Sequence, residues 1–162
     1  MGDDMRNSVG SLIFASAMAS VSTQVLAETR IVTTTPQFTW ASSGKESKTD
    51  GTPLVVDNLQ VGDIIDVQIG VGVPHGLITI KQLADVNDNQ TTEPVLACGE
   101  DRTKKPNAVL RETECGGKSN FGQNFTGSMK LEVLSTFTND VNFWCTEHFF
   151  MMTGTLRLKP KT

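Results

Sequence analysis

The eight residues from Cys145 to Met152, CTEHFFMM, hold one cysteine, one histidine and two methionines. A thiol, an imidazole and a thioether on one short loop form a ligand set for a transition metal. Sulfur donors favour Cu(I) and imidazole serves both oxidation states, so the set suits copper. A His2Cys site with a weak axial methionine needs a second histidine. The chain has two in all, and the other is His75, in the stretch LQVGDIIDVQIGVGVPHGLITI. The metal-ligand candidates are therefore His75, Cys145, His148 and Met152, with Met151 as the alternative to Met152.

The elements that must bring these residues together are strands. From Ile31 onward the chain is dense in Val, Ile, Thr and Phe, interrupted at short intervals by Gly, Pro, Asn and Asp. No long stretch follows a helical period, which predicts an all-β domain. Alternation puts Ile65, Val67 and Ile69 on one face, Ile78 with Ile80, Met129 with Leu131 and Val133, Val141 with Phe143 and Cys145, and Leu156 with Leu158. Strands of this kind suit a sandwich of two antiparallel sheets sharing one core. Val141, Phe143, Leu156 and Leu158 are assigned to that core, and Trp40 and Trp144 to packing. Between about Leu83 and Gly127 the alternation weakens into turn formers and charges. That segment is read as an elaborated connection between the two ligand segments, with one helical turn near Ala108 to Glu112. Within it DVNDNQ invites a calcium-loop reading, but Gln90 and Leu96 stand where an EF-hand needs its glycine and its bidentate glutamate. A solvated turn is the better reading.

A chain of 162 residues has room for one ordinary domain. Residues 1–27 read as a signal peptide, a short polar head followed by small apolar residues and cleavage positions after Ala19 or Ala27. The mature domain is then 28–162. No later run approaches the roughly 20 apolar residues that span a bilayer, so the expectation is a soluble protein exported to the periplasm or beyond. A net charge of -4 gives no basic field for nucleic acid. Of three cysteines, Cys98 and Cys115 lie sixteen residues apart in the loop-rich connection. A local disulfide, contributing on the order of 3 kcal/mol by loop entropy, is open to them and would leave Cys145 unpaired.

Two segments in this order, LQVGDIIDVQIGVGVPHGLITI and NFWCTEHFFMMTGTLRLK, resemble the cupredoxins, the small type 1 (blue) copper proteins such as amicyanin, plastocyanin and azurin. The first is similar to the family's strand with a Val-Gly-Asp start and a Pro-His ligand. The second is similar to its Cys, His, Met loop running into a glycine-containing last strand. The resemblance implies a Greek-key β-sandwich holding one copper ion that cycles between Cu(II) and Cu(I). It assigns His75, Cys145 and His148 as equatorial ligands and Met152 as axial, because Met152-Thr153-Gly154 fits the family's frame. Met151 would instead reproduce the shorter spacing of amicyanin-like loops. The implied function is single-electron transfer between redox proteins by a monomer, with copper buffering or delivery as the alternative. Enzymatic relatives need further histidines that this chain does not have, so no enzyme is expected. Around His148 an apolar rim of Val71, Val73, Pro74, Phe149, Phe150 and whichever of Met151 and Met152 is not the ligand is expected to dock partners transiently. Two positions depart from the family. Gly76 stands where an asparagine commonly ties the two ligand segments together, which removes that tie, and Glu147 stands where many relatives have proline.

Overall fold

A computed structural model describes residues 26–70, 72–80, 96–98, 108–114, 124–148 and 150–160. In chain order the strands are β1 (Thr29–Thr34), β2 (Trp40–Ser42), β3 (Lys45–Glu46), β4 (Leu54–Leu59), β5 (Ile64–Ile69), β6 (His75–Gly76) and β7 (Ile78–Ile80). They continue with β8 (Leu96–Cys98), β9 (Leu110–Glu112), β10 (Asn124–Phe125), β11 (Gly127–Val133), β12 (Val141–Trp144) and β13 (Thr153–Leu158). One sheet of seven strands runs β3-β2-β1-β5-β11-β9-β8, one of four runs β4-β13-β12-β7, and β10 pairs with β6 in a small third sheet. Consecutive strands repeatedly change sheet, giving the expected all-β Greek-key sandwich.

The alternation in the sequence becomes the inward face of each sheet. Ile65, Val67 and Ile69 of β5 and Met129, Leu131 and Val133 of β11 are buried, and they meet Phe143 and Leu156 from the opposite sheet in one core. A fully buried side chain of this size stabilises by about 1.5–3 kcal/mol, so these paired faces are what hold the sandwich closed. Trp40 is wholly buried and Trp144 nearly so, while Leu158 is only partly covered.

The Val-Gly-Asp start of β5 has a structural meaning. Asp63 N–H donates to the Gln60 carbonyl at 3.0 Å, closing a turn whose third residue, Gly62, has φ +92°. Only glycine adopts that conformation without strain. The buried Asp63 carboxylate then accepts from Gln60 N–H and Glu28 N–H, each at 2.9 Å, which sets the start of β1 beside β5.

Three points correct or bound the sequence reading. The sheets are mixed, because β1–β5, β8–β9 and β4–β13 pair in parallel. Ala108 to Glu112 is not a helical turn: Leu110–Glu112 is strand β9, between β11 and β8. Pairing on both edges, with Leu110 and Glu112 turned inward and Arg111 in an ion pair with Glu132 of β11, outweighs the weak helical preference of the segment. The signal segment, most of the long connection with its DVNDNQ stretch, and Cys115 with its pairing to Cys98 lie outside the described residues. Among the described residues no helix is long and apolar enough to cross a membrane.

Candidate metal centre

Strand β6 carries His75, and β12 delivers Cys145 directly after Trp144. The loop from Cys145 to Met152 is closed at its base, where Cys145 N–H donates to the Met152 carbonyl at 2.9 Å. At its tip the amides of Met151 and Met152 both donate to the His148 carbonyl, at 3.0 and 2.9 Å. The opposite sheet holds the same loop from outside. Trp40 Nε1–H donates to the Met152 carbonyl at 2.8 Å. Ser47 Oγ–H donates to the Met151 carbonyl at 3.1 Å and accepts from Trp40 N–H at 2.9 Å. A buried hydrogen bond is costly to leave unmade, so these contacts fix the backbone from which the candidate ligands project.

His75, Cys145 and His148 come together. Cys145 Sγ lies 3.5 Å from His75 Nδ1 and 3.7 Å from His148 Nδ1, and the two nitrogens are 3.2 Å apart. A point equidistant from the three atoms is about 2.0 Å from each, close to the length of a metal–imidazole bond of about 2.0–2.1 Å as known for zinc. The donor set therefore fits one metal ion. Cys145 is fully buried, His75 is 3% exposed, and His148 is half-buried. Burial first, and then the neighbouring His148, holds His75 below the usual imidazole pKa. Its ring is thus neutral at pH 7, the protonation state a ligand requires.

Met152 is completely buried and Met151 only partly. The carbonyl of Met152 is the common acceptor of Trp40 and Cys145, so its backbone is the better fixed of the two. Glu147 is exposed, and its carboxylate accepts from Asn124 Nδ2–H at 2.6 Å. Val73, Pro74 and Phe150 are exposed, while Val71 and Phe149 lie outside the described residues.

Two neighbours of the site were not legible in the sequence. Phe38 stacks on the His148 ring, with centroids 4.6 Å apart and planes at 19°, and also approaches His75 at 6.0 Å. Asn124 accepts from Thr146 Oγ1–H at 2.6 Å as well as donating to Glu147. Both lie far from the ligands in the chain, and neither belongs to a pattern that announces a site.

No protein-family model and no curated protein matches the chain. In structure it is similar to auracyanin B, at 13% identity and a TM-score of 0.38, over 86% of this chain and 94% of that one. The case for a metal rests on the three converging donors and not on this likeness.

Proposed function

We propose that the chain is an exported protein of the cupredoxin kind that binds one copper ion and carries single electrons between larger redox proteins. His75, Cys145 and His148 would hold the ion, with Met152 as the candidate fourth ligand. The observation that carries this reading is the meeting of one thiol and two imidazole nitrogens within 4.8 Å of one another in a site that is mostly buried. Bound copper supplies a one-electron Cu(II)/Cu(I) couple.

What the chain contributes is a fixed frame. With Met152 clamped by Trp40 and by Cys145 N–H, the loop keeps one arrangement for both oxidation states, so little has to move when an electron arrives or leaves. Burial of Cys145 and His75 keeps water away from two of the three converging donors. His148 reaches the surface and is the exit toward a partner. The exposed Val73, Pro74 and Phe150, with Phe38 stacked on His148, would supply apolar surface for docking.

The test is to add one equivalent of Cu(II) to the protein and record visible absorption and EPR, with Cys145→Ser as control. The expected result is an intense thiolate-to-copper band with narrow copper hyperfine splitting, lost in the control. A pale tetragonal spectrum, or no bound copper, would overturn the reading. Met152→Ala is expected to shift the reduction potential while Met151→Ala leaves it nearly unchanged. Retention of copper through repeated redox cycles beside a Cu(I) chelator supports a carrier. Its ready surrender would point to delivery instead.

A further inference from the structure

Position 76 offers no side chain to join the two ligand segments, yet the space beside it is filled. Strand β10 runs antiparallel to β6, placing Asn124 opposite Gly76 and Phe125 opposite His75. A Cβ added at Gly76 would overlap the Thr146 hydroxyl, and would stand 2.9 Å from Thr146 Cγ2 and 3.0 Å from Asn124 Oδ1. Thr146 therefore leans into the volume that a side chain at position 76 would take. It is held there by its hydroxyl, which donates to Asn124 Oδ1 at 2.6 Å. The other end of the same amide, Asn124 Nδ2–H, donates to Glu147 Oε1, also at 2.6 Å.

Thr146 and Glu147 are the only residues between Cys145 and His148. One amide group thus grips both residues that link two candidate ligands, from a strand whose backbone is paired to the third ligand, His75. We propose that Asn124 is a positioning residue for the metal centre. It locks the Cys145–His148 loop onto β6 from a third strand, and Gly76 is the vacancy that allows Thr146 to reach it. Asn124 touches neither the thiol nor an imidazole, so it acts through Thr146 and Glu147. The inference builds on the copper reading above, but its geometry is carried by protein atoms alone.

Asn124→Ala and Thr146→Val each break the hydroxyl-to-amide bond, from opposite sides, while Thr146→Ser keeps it. Two measurements on the whole protein decide the matter: Cu(II) affinity by chelator competition, and amide hydrogen exchange at Cys145 and Met152 without metal. Outer-shell partners of a metal site are commonly worth about 10–100-fold in affinity. That loss is expected in each of the first two variants, with little further loss when they are combined and near-normal binding in Thr146→Ser. Exchange at the two loop amides is expected to accelerate in the same variants. Unchanged affinity and exchange in both single variants, or losses that multiply in the double variant, would overturn the proposal. A purely structural role would lower the melting temperature without singling out these two amides. If the unaltered protein fails to bind copper, the electron-carrier reading falls, and the exchange comparison still decides the role of Asn124.

Discussion

Phe38 occupies a backbone position that glycine would ordinarily take. Its N–H donates to the Thr35 carbonyl at 3.1 Å, and Thr35 N–H donates to the Thr39 carbonyl at 3.0 Å. This is a tight turn between β1 and β2 whose last residue is left-handed, with φ 57° at Phe38. In hairpins of this form the left-handed position favours glycine, and a bulky residue held there costs about 1–3 kcal/mol. The ring stacked on His148 returns part of that, about 0.5–1.5 kcal/mol for an aromatic pair. Glycine at the same place would lose more conformational entropy on folding, about 0.5–1 kcal/mol. These terms nearly cancel. Phe38→Gly is therefore expected to leave the metal-free protein within about 1 kcal/mol of its original stability while uncovering the outer face of His148. Chelator-driven copper release should be faster in the variant although its thermal unfolding is little changed. A large fall in melting temperature with unaltered release would show that the ring serves the fold and not the site.

At the scale of strands, the segments legible in the sequence are those whose partners share their period. β5 and β11 alternate cleanly because each presents one face to a single core; β12 does so from Val141 to Phe143, before the buried Trp144, and the two ligand segments follow β5 and β12. β4 is less regular. Leu54, Val56 and Leu59 are buried, a spacing that breaks strict alternation, since Asn58 is left-handed at φ 59° and the register with β13 shifts between Leu156 and Leu158. β6 and β10 have two residues each, too short for any periodicity, although they carry His75 and Asn124. The parallel pairings were likewise invisible, being set by crossovers and not by local pattern. Gly154 shows what such pairing demands of a single position. It stands opposite Phe143 in the β12–β13 ladder, and a Cβ there would overlap the Phe143 ring. The ring lies over the glycine, edge-on to Trp40 at 5.9 Å. Gly154→Ala must displace that ring, and overpacking of this kind costs about 1–3 kcal/mol. Chemical denaturation should show the loss as a lower midpoint at unchanged slope. Because Gly154 follows the candidate metal loop by only two residues, the variant is also expected to broaden the spectrum of copper bound as proposed. Full stability in Gly154→Ala would mean that the ring has room to turn aside.

Across the whole molecule, folding brings together groups that a free chain would keep apart. His75 and Cys145 are 70 residues apart in sequence, and their meeting depends on both large sheets and on the small β6–β10 pair. The groups facing His75 at the site are the Cys145 thiol and the His148 imidazole; neither is a carboxylate that would stabilise a charged His75. Burial and the nearby His148 accordingly depress the His75 pKa from its ordinary 6.5. In the window between 6.5 and the lower folded value, the unfolded chain binds a proton at His75 that the folded chain refuses. Stability rises with pH wherever the unfolded state holds more protons. The contribution of His75 is thus complete above pH 6.5 and is lost as pH falls through the folded value. The metal-free protein should melt at a lower temperature at pH 5 than at pH 7. His75→Gln removes the titrating group and should flatten that part of the profile. Copper bound as proposed would sharpen the dependence, because a proton and a metal compete for the same nitrogen. Chelator-driven release from the loaded protein should therefore accelerate as pH falls across the same window. Equal pH slopes in the original and His75→Gln proteins would place the acid sensitivity elsewhere, in the carboxylates that hold the sheets together.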